Sequence, residues 1–277
     1  MENLSGLLDL PGTRLRYRDR PGRRRPVVLT HGAGMDHAMF EAQAEALHVE
    51  GHRVVTWDLP AHGESLLAPG TRFTARIALD GLGALLDHLG LSRPVLAGHS
   101  LGGNLSQAFV RLRPDRAFAL IVVDSTWNTG PLSRFERAML RLAAPSLAMI
   151  PASRLPALMA KASAVTPEGI ASAEATFARM PKPVFLDVWR ATTSLVEPDA
   201  AYRTPVPLGL IRGEKDKTGN IATAMPRWAA AERVAEHVIP GAGHIVTLDN
   251  PAATSRAMRE LIASWEAGAA ANTEQGR

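Results

Sequence analysis

The chain of 277 residues contains no cysteine. That excludes disulfide stapling, thiolate catalysis and cysteine-ligated metals outright. Aromatic residues are scarce at 5%, with only two tyrosines, Tyr17 and Tyr202, and only four of the 31 basic side chains are lysines. No apolar run reaches the length of roughly 18 residues that a membrane-spanning helix needs. The first ten residues, MENLSGLLDL, carry an acid at position 2 and lack a basic start followed by an apolar stretch, so no signal peptide is expected. These absences lead us to expect a soluble, cytoplasmic protein without a membrane partner. No cofactor or metal is expected either.

What is present is an ordinary globular composition, 46% apolar and 21% charged, with a net charge of +4. Most of the basic excess lies in RLRYRDRPGRRRP, residues 14–26. No aromatic ladder or phosphate-cradling glycine loop accompanies it, so it reads as a solvated turn, and nucleic acid is not expected as a partner. Nothing in the sequence bears on oligomeric state.

Short apolar runs alternate with longer amphipathic ones. Strands are predicted at 13–19, 26–32, 52–58, 94–100, 118–124, 206–213 and 235–241. Helices are predicted at 37–51, 71–90, 101–114, 221–234 and 250–268, with a frayed tail from 270. The buried runs are continuous Val, Leu and Ile rather than alternating, the mark of a parallel sheet covered on both faces. Residues 125–203 hold no convincing strand and read as short helices broken by prolines. The expected organisation is an α/β core, 1–124 and 204–277, carrying a helical insertion, 125–203.

The stretch GHSLGG places Ser100 between Gly98 and Gly102, after one buried run and at the head of a helix. A strand turning abruptly into a helix needs small residues where chains would collide. It projects the serine above the sheet and leaves the backbone N–H of Leu101 free for a developing oxyanion. A serine hydroxyl needs a base. His244, in a glycine-rich loop after the last strand, is the favoured one, and His31 lies on the same rim at the carboxyl ends of the strands. His99 points elsewhere by alternation, His62 is expected to hold its own loop, and His37, His48, His52, His88 and His237 read as surface. For the carboxylate that orients the base, Asp216 is preferred, with Asp124 the alternative and Glu214 a weaker stand-in. The loop HGAG, residues 31–34, offers further backbone donors, Ala33 first and Gly34 next.

HGAG, DLPAHGES, GHSLGG, GEKD and GAGH, taken in this order, resemble the α/β-hydrolase fold family over residues 13–267. The resemblance implies an α/β fold with a mostly parallel eight-stranded sheet, helices on both faces and a helical cap inserted after the sixth strand. It also implies Ser100 as nucleophile, Asp216 as acid and His244 as base. Two departures are visible: Ala61 stands where such chains usually carry glycine, and KTGN follows Asp216 where a proline is common. Dehalogenases and epoxide hydrolases of this family use aspartate at the turn, so Ser100 argues against both. The expected activity is acyl transfer on a small, apolar carboxylic ester, thioester or lactone, with a carbon–carbon bond hydrolase, a lyase or a non-hydrolytic small-molecule receptor as alternatives. Residues of the insertion, among them Trp127, Phe135, Met139, Met149, Met159, Phe177, Met180 and Trp189, are candidates to line an apolar pocket. Arg134 and Arg190 are weaker candidates for holding a substrate carboxylate.

Overall fold

The computed structural model describes residues 4–275. Along the chain run β1 (Gly6–Leu10), β2 (Thr13–Arg20), β3 (Arg24–Thr30), α1 (Glu41–Val49), β4 (His52–Trp57), β5 (Leu66–Leu67), α2 (Ala75–His88), β6 (Val95–His99), α3 (Leu101–Leu112) and β7 (Ala119–Val123). Four helices follow: α4 (Arg134–Met149), α5 (Leu155–Ser163), α6 (Pro167–Phe177) and α7 (Lys182–Ser194). The chain closes with β8 (Leu208–Gly213), α8 (Ile221–Glu232), β9 (Glu236–Ile239), α9 (Val246–Asp249) and α10 (Pro251–Gln275).

One sheet of nine strands has the order β1-β2-β4-β3-β6-β7-β8-β9, with the two-residue β5 pairing with β2 beside that path. Strands β3, β4, β6, β7, β8 and β9 pair with one another in parallel, and the pairings of β1, β2 and β5 are antiparallel. The sheet is thus mostly parallel, and it has nine strands where eight were expected, eight of them on its continuous path. The ninth strand is too short to show in sequence.

Side chains alternate across this sheet into two cores. Val28, Leu96, Leu120, Val122 and Leu210 face α2, α3 and α8, where Leu82, Leu105, Phe109, Met225 and Trp228 are buried. Val27, Leu29, Val95, Ala97, Ile121 and Ile211 face α1 and α10, where Ala44, Leu47, Met258 and Ile262 are buried. Every central strand therefore buries both faces, which is why it is written without alternation.

Three expectations change. Residues 37–51 form a 3-10 turn, His37–Phe40, before α1, because the Asp36 side chain accepts the Ala38 N–H and tightens the start. β1 is an additional strand. α10 continues past Gly268 to Gln275 instead of fraying from 270, and the last two residues lie outside those described.

The four helices α4–α7 leave the sheet after β7 and return at β8, and no strand occurs among residues 125–203. Several ties join them to the core at the sheet's carboxyl end, three of which lie close to the loops that follow β3 and β9. The Asp249 carboxylate accepts the N–H groups of Val165 and Thr166, the Thr166 hydroxyl and the Gly243 N–H at 2.8–3.1 Å. Arg179 pairs with the buried Asp36 at 2.6 Å. Phe177 and Phe185, edge to face, lie over Gly34.

Candidate active site

Ser100 occupies the single residue between β6 and α3, at φ 50 and ψ −115. Such a backbone costs a side-chain-bearing residue roughly 1–3 kcal/mol and persists only where its surroundings enforce it. The surroundings here do. Ser100 N–H donates to Val123 O at 2.9 Å, and Ser100 O accepts from Asn104 N–H and the Ser125 hydroxyl at 2.9 and 2.8 Å. A Cβ on Gly98 would overlap the Gly102 carbonyl, and one on Gly102 would overlap the Thr30 carbonyl. Both glycines are therefore set by the closeness of β3, β6 and α3. Leu101 is the first residue of α3, where helix geometry leaves the N–H without an intrahelical partner.

The HGAG loop leaves β3 directly alongside. A Cβ on Gly32 would stand 3.3 Å from the Ser100 Cβ, so the loop that carries Ala33 runs against the serine. Gly34 takes φ 72, a left-handed conformation that glycine adopts freely. His31 anchors the loop: its Nδ1–H donates to Gly32 O at 2.8 Å, and its Nε2 accepts the Leu59 N–H at 2.9 Å. Both ring nitrogens are thus engaged, and His31 is wholly buried. It is a structural histidine and not a free base.

Asp216 follows β8 and His244 follows β9, and the structure joins them. The His244 Nδ1–H donates to Asp216 Oδ2 at 3.0 Å. This fixes the tautomer that presents Nε2 as the acceptor. Both residues are buried. Burial alone would raise the Asp216 pKa, but the charge and hydrogen bond of His244, with donors from Thr218, outweigh it and hold the carboxyl at about 2. The Thr218 N–H reaches Asp216 Oδ1 at 2.7 Å, so the KTGN sequence supplies its own lock for this loop. His99, the residue before Ser100, donates its Nε2–H to the His244 carbonyl at 2.8 Å, and the two rings lie 4.8 Å apart. The histidine loop is thereby tied to the residue adjoining the serine.

The alternatives make other bonds. Glu214 accepts the Gly241 N–H at 2.7 Å and braces the loop. Asp124, wholly buried at the end of β7, accepts the Gly213 N–H at 2.7 Å. His62 donates to Pro60 O and holds its own loop. His37 and His52, expected at the surface, are not there. His37 bonds the buried Asp58 at 3.0 Å, and His52 is 1% exposed with its Nδ1–H on Arg25 O. Phe135, Met139 and Met149 point outward at 73%, 52% and 85% exposure, which removes them as pocket candidates. Arg134 is exposed and Arg190 pairs with Asp187, so neither is placed to hold a substrate carboxylate. Phe185 and Asp249 carry no motif that marks them in the sequence. Asp249 lies five residues beyond His244 and ties its loop down, while Phe185 sits one helical turn before Trp189, their rings 6.3 Å apart.

Among the described residues, the one group with enough ligand atoms in reach of a cation is Asp124, Asp216 and His244, all within 4.8 Å of one another. The His244–Asp216 hydrogen bond lies within this group. A separate cavity of about 360 Å³, lined by Gln107, Arg111, Asn128, Tyr202 and Trp228 among others, does not include Ser100, Asp216 or His244.

A strand–Ser–helix turn, an adjoining donor loop and a buried His–Asp pair at the carboxyl end of a parallel sheet define a class, and the sequence comparison agrees. The chain belongs to the alpha/beta hydrolase family, whose model matches residues 27–257. A dihydrolipoyllysine-residue acetyltransferase component of the acetoin cleaving system of Pseudomonas putida is 41% identical over 104 residues, 36% of this chain and 26% of that protein. A 2-hydroxy-6-oxononadienedioate/2-hydroxy-6-oxononatrienedioate hydrolase of Burkholderia vietnamiensis is 34% identical over 133 residues, 45% of this chain and 44% of that one. The chain thus spans less than half the length of these curated relatives. A thermophilic esterase from Thermogutta terrifontis superposes with a TM-score of 0.78 at 27% identity, covering 94% of this chain and 99% of the esterase. No helix among the described residues is long and apolar enough to cross a membrane.

Proposed function

We propose that this protein is a serine hydrolase that works by acyl transfer, with Ser100 as nucleophile, His244 as general base and acid, and Asp216 as the carboxylate that orients His244. The observation that carries the reading is the buried His244–Asp216 bond of 3.0 Å on a loop tied through His99 to the strained Ser100 turn. His244 Nε2 takes the Ser100 proton as Oγ attacks the carbonyl carbon. The Leu101 and Ala33 N–H groups receive the oxyanion, each contributing about 3 kcal/mol to the transition state. His244 then protonates the leaving group, and water attacks the acyl-enzyme by the reverse sequence. The helices α4–α7, residues 125–203, act as the cap, and Phe177 and Phe185 over Gly34 give the site an apolar ceiling. The substrate is accordingly a small, apolar carboxylic ester, thioester or lactone.

Hydrolysis of nitrophenyl esters with acyl chains of two to ten carbons tests this. The wild type should turn them over, with an optimum that sizes the pocket, and Ser100→Ala should lose turnover by about 10⁴-fold or more. A folded wild type with no turnover would sink the esterase reading. Weight would then move to cleavage of a carbon–carbon bond beside a carbonyl, the second reading, which the named hydrolase relative of Burkholderia vietnamiensis favours.

A further inference from the structure

The mechanism leaves one carboxyl unused, and its surroundings are unusual. Asp124 is 0% exposed, on the rim beside the His244–Asp216 pair, and its backbone takes φ 41. A left-handed aspartate is held there by two bonds to β8: its N–H donates to Ile211 O at 2.9 Å, and its Oδ1 accepts the Gly213 N–H at 2.7 Å. The other oxygen, Oδ2, is buried and meets no donor among the described residues. A second carboxyl stands close by, because ligand atoms of Asp124, Asp216 and His244 all lie within 4.8 Å of one another. A buried acceptor without a donor is costly, and two facing carboxylates are costlier. One proton between them removes both penalties.

Resting on the Ser100–Asp216–His244 reading, we propose that Asp124 is a neutral carboxylic acid whose Oδ2–H donates to the Asp216 carboxylate. It thereby acts as a positioning residue that fixes Asp216 against His244. The proton belongs on Asp124 and not Asp216 for a geometric reason. Asp216 already accepts from His244 Nδ1 and Thr218 N–H, bonds that only the ionised form uses fully, whereas Asp124 has one donor, a backbone amide. Burial first, and then the charge of Asp216, push the Asp124 carboxyl well above the usual carboxylate range. The charged and titratable groups around the pair are His244, His99 and Arg212. His99 is kept neutral by burial, and Arg212 is paired with Glu236 at 2.8 Å. The consequence is chemical as well as mechanical. A donated hydrogen bond spreads the Asp216 charge, so less of that charge falls on the imidazole of His244.

Asp124→Asn decides the matter, because an amide reproduces the neutral acid: its N–H donates to Asp216 and its carbonyl accepts from Gly213. Asp124→Asn should keep kcat/KM within about threefold of wild type with an unmoved acid limb of the pH–rate profile, whereas Asp216→Asn should lose about 10⁴-fold. Asp124→Ala, which removes the donor, should move that acid limb upward by about half a pH unit or more. A merely structural role would lower kcat without moving the limb. A loss in Asp124→Asn comparable to that in Asp216→Asn would overturn the proposal, since Asp124 would then be working as an ionised carboxylate. Infrared difference spectroscopy between wild type and Asp124→Asn at neutral pH provides a readout that needs no turnover. The carbonyl stretch of a neutral carboxylic acid should be present in wild type and missing in the variant, and its absence from wild type would overturn the proposal. If the wild type hydrolyses no ester, the functional reading fails, and the infrared band alone still decides the protonation of Asp124.

Discussion

At Ser100 the local sequence carries its own explanation. The backbone at φ 50 is tenable because Gly98 and Gly102 let three chain segments touch, and a sequence that writes glycine on both sides of a serine after a buried strand advertises that pinch. His244 was legible for a related reason, since its glycine-rich loop follows the last strand on the same rim. Between Asp216 and Asp124 the sequence supported a preference for Asp216 without excluding Asp124. Both end neighbouring parallel strands, and only the fold of the loop after β8 decides which carboxylate meets Nδ1. Ala61 is the opposite case. Its φ of 63 shows why glycine would be expected there, and the alanine bears the strain. Ala61→Gly should raise stability by about 0.5 kcal/mol, the left-handed penalty of about 1–2 kcal/mol being largely offset by glycine's extra freedom in the unfolded chain. The midpoint of a urea titration checks this, and a fall of the midpoint would contradict it.

At the scale of elements, the parallel strands were readable because burial on both faces leaves unbroken apolar runs. β1 was not. It exposes alternate residues, pairs among the described strands with β2 alone and spans five positions, too few for a period to stand out. The ends of helices were the other weak point: α10 runs beyond Gly268 because a glycine within a long amphipathic helix is a tolerated cost and not a stop. The most consequential tie between elements, Asp249 to the turn between α5 and α6, joins residues more than 80 positions apart, and no local pattern reports it. Asp249→Ala should leave the N–H groups of Val165, Thr166 and Gly243 without their acceptor and destabilise the protein by about 2–3 kcal/mol. Hydrogen exchange should show those amides losing protection first. Unchanged exchange at Val165 and Thr166 would remove Asp249 as the latch.

For the whole molecule, charge and buried histidine set the response to pH. The basic run at 14–26 is largely balanced in the fold: Arg14 pairs with Asp9, Arg16 with Glu64, Arg20 with Glu41 and Glu45, and Arg24 with Glu266. A sequence shows the arginines but not partners as distant as Glu266. Burial, reinforced by the neighbouring His31 and His244 respectively, pushes His62 and His99 down to about 3. An unfolded imidazole takes its proton near pH 6.5. The folded value being the lower, this stability is fully present above about pH 6.5 and is lost as pH falls toward 3. Near pH 5 the two histidines together give a slope of about 3 kcal/mol per pH unit. His31, lowered mainly by burial, acts in the same sense. Asp124, raised by burial and by Asp216, acts in the opposite one. The urea midpoint should therefore drop steeply between pH 7.5 and 5, and His62→Asn should flatten the drop. A midpoint constant over that range would contradict the neutral burial of these rings.

The central claim is that Ser100 forms a covalent acyl intermediate, and the most direct measurement of it is the mass of the protein and its peptides after treatment with a fluorophosphonate. One adduct is expected, on Ser100, absent from Ser100→Ala and formed much more slowly in His244→Ala. A folded wild type that takes no label, or takes it on another serine such as Ser125, would contradict it.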